Sequence, residues 1–229
     1  MPRLRQTFVD VGATDKLSLL TDVVSTGTRG AAPSKGSGRA LTMVFCNTVQ
    51  SCRAAEHALA ESGIDSLCYH GELGSTDRGA NLNDFRSGEG VRVLVCTDIA
   101  ARGLDVPEVD HVVMFDFPLN PIDYLHRAGR TARGLSDVGA KGRVTALVAK
   151  RDKVLAVAIE RAVQRGQPLD ELTSRKSDYR SDGRLGKKIA GEEKKESRGG
   201  RVSTGKSRSG SGSGARRSKG SGGRGGGIR

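Results

Sequence analysis

Apolar residues follow two alternating patterns along the chain. Short continuous apolar runs alternate with segments in which apolar residues recur every three or four positions. The runs predict strands, and the periodic segments predict amphipathic helices. The predicted extended segments are 6–11, 41–46, 67–69, 91–96, 109–115 and 143–149, and the predicted helices are 16–24, 48–61, 75–85, 121–130 and 152–164. This alternation predicts an α/β fold in which a parallel sheet carries helices on both faces.

Polar residues directly follow several predicted strands, at the edge where parallel sheets place their functional groups. The longest such segment, Thr97–Asp105, contains a threonine hydroxyl, two carboxylates and an arginine within nine residues. A solvated loop in which Asp98 caps a turn would have the same composition, so both interpretations stay open here. The polar residues that follow the other strands are Asn47, Thr48, His70 and Asp116.

Three arginines recur every three residues near the end of one predicted helix. They are Arg127, Arg130 and Arg133. On a helix end continued by a tight turn they would project to one side, where they repel each other unless an anion lies between them. The planar guanidinium suits phosphate, and an arginine aimed at a γ-phosphate stabilises phosphoryl transfer. A solvated basic helix end that interacts favourably with the helix dipole is the alternative.

Charge divides the chain into a neutral body and a basic tail. The 229 residues carry a net charge of +12. Residues 174–229 hold 17 basic and 5 acidic side chains, whereas residues 1–173 hold 21 of each. This distribution excludes a uniformly basic architectural protein. With 15 Gly and 11 Ser, the tail is predicted to be disordered, because it offers too little apolar surface to offset the entropy of ordering.

The cysteines and the apolar runs indicate an intracellular protein. The four cysteines lie singly, without a CxxC pair, which predicts buried thiols in a reducing compartment and no metal site. No stretch approaches the roughly 18 consecutive apolar residues of a membrane span, so we expect no membrane association. The first residues lack the apolar core of a signal peptide. The cysteines are Cys46, Cys52, Cys68 and Cys96.

Four segments in order resemble the motif series of one protein family. They are 43–48, then 69–71 with Arg78 and 85–88, then 93–105, and finally 126–133. The series resembles that of the second RecA-like lobe of the DEAD-box RNA helicases, and the resemblance covers most of residues 5–172. It implies a linker-like segment at 1–14, a RecA-like domain at 15–173 and the disordered tail at 174–229.

The resemblance implies an ATP site shared with a first lobe. Arg130 and Arg133 match the arginine fingers that point to the γ-phosphate of ATP. Asp105 matches the carboxylate that accepts a hydrogen bond from the ribose. His126 and Arg127 match positions that brace the interface to the first lobe.

The resemblance also implies contacts with the RNA backbone. Hydroxyls, backbone amides and guanidiniums are the groups that bind an RNA backbone. One position departs from the family pattern, because Ser75 stands where the family usually has Gln, which puts one hydrogen bond of that motif in doubt. The implied RNA-contacting residues are Asn47, Thr48, Arg78, Thr97, Arg102 and Gly103.

The resemblance further implies that these residues are half of an enzyme. In the family, the first lobe supplies the phosphate-binding loop and the residues that hold Mg²⁺. We therefore expect the chain to act as a monomer that needs a first lobe for ATPase activity. Gly200–Ser207 fits the phosphate-loop pattern letter for letter. The segment lacks the flanking strand and helix that make such a loop work, and its composition explains the match.

Two functions remain as alternatives at this point. The first is the carboxy-terminal lobe of an ATP-dependent RNA helicase, and the second is a noncatalytic RNA-binding or annealing module. A DNA translocase is less consistent with the motif spelling. The arginine–glycine segments near residues 198–201 and 222–226 resemble flexible RNA-binding tails. The sequence does not identify the target RNA, nor does it separate chloroplast or mitochondrion from nucleus or cytoplasm.

Overall fold

The predicted strands pair into one parallel sheet. The computed structural model describes residues 4–30, 40–101, 109–131 and 142–199. Within these ranges, the sheet has the order β1-β6-β5-β2-β4-β3, and every neighbouring pair is parallel. The strand β2 therefore lies near the centre, between β5 and β4. The strands are β1 (Arg5–Asp10), β2 (Thr42–Cys46), β3 (Leu67–Tyr69), β4 (Val93–Thr97), β5 (His111–Met114) and β6 (Arg143–Val148).

Side-chain caps begin two of the helices that leave the carboxyl edge of the sheet. Thr48 Oγ1 accepts the Ser51 N–H at 3.0 Å at the start of α2. Asn120 Oδ1 accepts the Asp123 N–H at 2.9 Å, and Pro121 opens α5. These caps pair backbone donors that a helix start leaves unsatisfied. The helices are α1 (Lys16–Gly30), α2 (Val49–Glu61), α3 (Ser75–Ser87), α4 (Asp98–Ala101), α5 (Pro121–Ala128), α6 (Lys153–Gln164) and α7 (Arg184–Gly199).

Helices cover both faces of the sheet, which confirms the predicted α/β architecture with a parallel sheet. In β2, Met43 and Phe45 pack with buried residues of α3, α5 and α6. Val44 and Cys46 pack with buried residues of α1 and α2 on the other face. Because side chains alternate between the two faces of a strand, a strand covered on both faces is apolar throughout. All five residues of β2 are buried, which explains the continuous apolar run.

The four cysteines are buried free thiols. Burial raises the pKa of the Cys68 and Cys96 thiols, and such protonated thiols are weak nucleophiles and weak metal ligands. In the ranges given above, no group of three His, Cys, Asp or Glu side chains is placed to hold a metal ion. No helix in those ranges has the length and apolar character needed to cross a membrane.

The structure differs from the predicted disordered tail at residues 174–199. A 3-10 turn at Lys176–Tyr179 and the helix α7 extend the folded domain past residue 173. Tyr179 is 6% exposed and its hydroxyl donates to Thr173 O at 2.5 Å, while Ile189 is 9% exposed. The glutamate Glu192 on α7 pairs with an arginine on α6. A few apolar side chains suffice here, because they add to an existing core. Residues 200–229 lie outside the described residues.

We expect Ile189→Ala to lower the free energy of unfolding by about 2 kcal/mol, because it removes a buried aliphatic side chain from α7. Urea denaturation of the 229-residue chain measures this change. Ile122→Ala is the matched control, since Ile122 is 43% exposed and should lose less than about 0.5 kcal/mol. Equal small losses would show that α7 does not belong to the folded unit.

Candidate functional site

Three polar residues meet at the carboxyl edge of the sheet. Asn47 follows β2, Asp98 follows β4, and Asp116 lies two residues after β5. Because β2 pairs with both β4 and β5, Asn47 lies between the two carboxylates. The sequence pattern predicted polar residues at these positions, and the structure brings them together.

The guanidinium of Arg127 links these three strand ends. Its side chain is 1% exposed and approaches from the last turn of α5. Its Nε and Nη2 donate to the two carboxylate oxygens of Asp98 at 2.7 and 2.5 Å. Its Nη1 donates to Asp116 O at 2.5 Å, and Nη2 also donates to Asn47 Oδ1 at 2.6 Å. A forked ion pair of this kind satisfies a charge that would otherwise be unstable in the interior.

The side chain of Asn47 forms hydrogen bonds within the protein at both its oxygen and its nitrogen. Besides accepting from Arg127, its Nδ2 donates to Phe117 O at 3.0 Å. Its backbone N–H donates to Asp116 Oδ2 at 3.0 Å. The side chain therefore joins the end of β2 to the segment after β5, and both of its polar atoms already have protein partners.

Lys16 ties helix α1 to the same edge. Its Nζ donates to Asp116 Oδ1 at 2.5 Å and lies 4.2 Å from the centre of the Phe115 ring. Burial raises the pKa of Asp116, but the hydrogen bonds from Lys16 and from the Asn47 N–H outweigh burial and hold that pKa below its usual value. The carboxylate is thus ionised at neutral pH. We call Lys16, Asn47, Asp98, Asp116 and Arg127 the edge network.

The edge network fixes the backbone that carries Arg130. The helix α5 ends at Ala128, and the chain then turns. In this turn the Arg130 N–H donates to Arg127 O at 3.1 Å, and Arg130 O accepts the Val109 N–H at 3.2 Å. Arg130 is partly exposed. Two backbone hydrogen bonds therefore hold a partly exposed arginine beside the buried one.

The structure differs from the prediction that the arginine side chains project to one side. Because α5 ends between Arg127 and Arg130, the two side chains do not continue one helical face. Arg127 points inward to Asp98, which is the anion that its charge requires. The bonds of Arg127 described above are to groups of this chain, and its predicted contact with a first lobe stays a prediction. His126, in the last turn of α5, is exposed.

Four of the residues predicted to contact RNA lie within the described residues: Asn47, Thr48, Arg78 and Thr97. Thr48 is exposed at the cap of α2, and Thr97 is 8% exposed at the end of β4. Arg78 is partly exposed in the first turn of α3, and Ser75 is exposed at its start. The predicted roles of these residues stay predictions. The predicted site residues that lie outside the described residues are Arg102, Gly103, Asp105 and Arg133.

Sequence reasoning missed the pairing partners of Arg127. It identified Asp98 and Asp116 as residues after strands, but it assigned neither to an arginine. Lys16 was not identified at all, because a lysine at a helix start carries no distinctive pattern. The strand order would have indicated that these residues meet, because β2 pairs with both β4 and β5 and so places Asn47 between the two aspartates.

Comparisons with known proteins show which family the sequence and the fold match. Residues 15–134 match the family model of the helicase conserved C-terminal domain, which is more than half of the chain. The chain is 49% identical over 172 residues to DEAD-box ATP-dependent RNA helicase 39 of Arabidopsis thaliana, covering 74% of this chain and 26% of that protein. It is 38% identical over 180 residues to DEAD-box ATP-dependent RNA helicase 22 of Oryza sativa subsp. japonica, covering 79% and 30%. The chain therefore spans about a quarter to a third of the length of these curated relatives.

Solved structures share the fold. The DEAD-box protein SrmB of E. coli, in its complex with the regulator of ribonuclease activity A, has a TM-score of 0.57 and 31% identity, and the match covers 72% of this chain and 88% of that one. The C-terminal domain of the DEAD-box protein Dbp5 has a TM-score of 0.56 and 27% identity, covering 72% and 85%.

We expect Arg127→Met to lower the free energy of unfolding by about 3–5 kcal/mol, because it leaves the Asp98 carboxylate without its cation. Adding Asp98→Asn to this variant should recover part of the loss, since the unpaired charge is then gone. Urea denaturation measures both variants. Arg165→Met, at an exposed arginine, is the control and should change stability by less than about 0.5 kcal/mol. A loss below about 1 kcal/mol for Arg127→Met would contradict the structural role of the pair.

Proposed function

Because this chain belongs to the DEAD-box RNA helicases as their helicase conserved C-terminal domain, we propose that its carboxyl edge completes an ATP site and an RNA-binding surface in a two-lobe helicase. The observation that carries the proposal is the edge network, which orders the turn bearing Arg130. The first lobe would provide the phosphate-binding loop and face this edge.

Arg130 is proposed to act as an arginine finger. In ATP hydrolysis, water attacks the γ-phosphorus and ADP leaves, while negative charge spreads over the transferred phosphoryl oxygens. A guanidinium held at the correct position stabilises that charge without reorganising during the reaction. The hydrogen bonds of the Arg130 backbone and the buried Arg127 beside it support such a fixed position. Arg133 would add a second guanidinium three residues later.

The nucleotide and its Mg²⁺ are proposed to be held mainly by the first lobe. Both carboxylates of the edge network already bond cations of the protein, since Asp98 pairs with Arg127 and Asp116 pairs with Lys16. These residues therefore suit the organisation of arginines better than the coordination of a metal. Asp105 is proposed to accept a hydrogen bond from the ribose.

RNA is proposed to bind along the same edge through its backbone. Thr48, Thr97 and Arg78 offer hydroxyl and guanidinium groups of the kind that contact phosphates and sugars. Arg102 would add another guanidinium, and Gly103 would add a backbone amide. Asn47 is proposed to support these contacts indirectly, because its side chain is engaged by Arg127 and Phe117. Closure of the two lobes on ATP would clamp one RNA strand and open a short duplex, and hydrolysis would release the clamp.

The test joins the first lobe of the Arabidopsis relative to residues 1–229 and measures RNA-stimulated ATP turnover. Arg130→Ala should lower the turnover number about a thousandfold or more, because it removes a transition-state contact. Its affinity for RNA should stay within about threefold, since the finger points to the nucleotide. Residues 1–229 alone should turn over no ATP.

Arg165→Ala serves as the matched control in the same two-lobe protein. It removes the same charge at an exposed residue that follows α6, and its turnover should equal that of the unmodified protein. Unchanged turnover in Arg130→Ala would reject the finger assignment. ATP turnover by residues 1–229 alone would reject the shared site. RNA binding without any turnover in the two-lobe protein would favour a noncatalytic RNA-binding module.

A further inference from the structure

A basic surface lies on α7, the last helix within the described residues. The inward side of α7 carries Leu185, Gly186 and Ile189, which are buried or partly buried. Over residues 184–192, where the side chains are described, its outward side carries three cations, and one more cation precedes the helix. We call these four exposed residues the α7 basic face: Arg180, Arg184, Lys187 and Lys188.

The α7 basic face has an ordered base. A Cβ on Gly186 would lie 2.2 Å from Arg180 O, and one on Gly183 would lie 2.3 Å from Ser177 O. Only glycine allows so close an approach, so the first turn of α7 packs directly on the backbone that carries Arg180. Farther along, the ion pair between Arg161 and Glu192 holds α7 to α6. The cations therefore project from a packed helix and turn.

Within the described residues, the cations of the α7 basic face form no ion pairs, although the exposed Asp182 stands between Arg180 and Arg184 in the sequence and Glu192 follows Lys188 by four residues. Arg184, Lys187 and Lys188 are spaced at three and four residues, where like charges repel. They also lie near the start of a helix whose first turn contains no acidic residue, which is unfavourable with the helix dipole. In the ranges that the structure describes, no carboxylate lies within ion-pair distance of these four residues. Arg127 and Arg161, in contrast, each have a carboxylate partner.

The surroundings favour a polyanion over a protein partner. The large hydrophobic side chains that are exposed in the described ranges are Leu119, just before α5, and Ile122, in its first turn. The α7 basic face thus lacks the apolar anchors around which protein interfaces form. The sequence that follows, residues 200–229, adds eight Lys and Arg and no Asp or Glu. Residues 189–199, which lie between the two, carry three basic and three acidic side chains. A long anion could therefore meet net positive charge at the α7 basic face and again in residues 200–229.

We propose that the α7 basic face binds the phosphate backbone of single-stranded RNA at a place separate from the carboxyl edge. The choice of RNA rests on the proposed function. The bound strand would extend beyond the part held at the edge, and the contacts would be independent of base sequence because they involve charge alone. The face would raise affinity for long strands and leave the chemistry at the edge unchanged.

The test measures fluorescence anisotropy of a labelled 20-nucleotide single-stranded RNA with the 229-residue chain over a range of salt concentrations. Arg180→Gln with Arg184→Gln should weaken binding about tenfold near 0.1 M salt. It should also lower the slope of log affinity against log salt by about 1.4, since each lost phosphate contact contributes roughly 0.7 for single strands. Arg180→Lys with Arg184→Lys should keep most of the slope, because it keeps the charge.

Matched arms distinguish the possible outcomes. Arg5→Gln with Arg86→Gln removes two exposed arginines near the amino edge and should weaken binding less than about twofold. If it weakens binding as much as the α7 pair, net charge explains the result and the proposal fails. Displacement of the RNA from the α7 basic face by poly-glutamate at equal charge would instead indicate an acidic protein partner, and would also overturn the proposal.

Arg78→Gln separates this proposal from the proposed function. If Arg78→Gln weakens binding and the α7 pair does not, the carboxyl edge binds RNA and the α7 proposal is wrong. If only the α7 pair weakens binding, the α7 proposal stands and the edge contact fails. If neither change weakens binding, both proposals fail.

Discussion

A buried guanidinium is unfavourable by several kcal/mol unless its charge and its donors are paired. Arg127 meets this constraint by donating four hydrogen bonds to Asp98, Asp116 O and Asn47. Those partners come from three different strand ends, which the pairing of β2 with both β4 and β5 brings together. The hydrogen bonds of this one buried cation thereby hold the ends of β2, β4 and β5 in position relative to one another.

The same network connects distant parts of the chain to the edge. Lys16 joins the start of α1 through Asp116, and the backbone of Arg127 accepts from Arg130 in the turn after α5. Arg130 consequently sits on a base that is set before any ligand binds. A rigid base of this kind is what electrostatic stabilisation of a transition state requires. The edge differs in this respect from the α7 basic face, whose cations have no carboxylate partners in the described ranges.

The sequence was informative where burial dictates composition. The strands β2 and β4 are buried at every position, so their apolar runs stood out in the sequence. The inward direction of Arg127 could not be predicted, because it depends on α5 ending at Ala128 and on the neighbouring strands. The order of α7 was also missed, since Tyr179 and Ile189 gain stability only from a core formed elsewhere. The roles of Arg130 and Thr97 came from family resemblance, as spacing alone left a solvated alternative.

Hydrogen exchange at two separate amides tests the edge network most directly. The Asn47 N–H donates to Asp116, and the Arg130 N–H donates to Arg127 O. Arg127→Lys keeps the charge but cannot form the fork, so the account predicts that protection of both amides falls together by at least about tenfold, while Val44 in the middle of β2 stays protected. Loss of protection at Arg130 alone, or at neither amide, would contradict the claim that one buried arginine organises the edge.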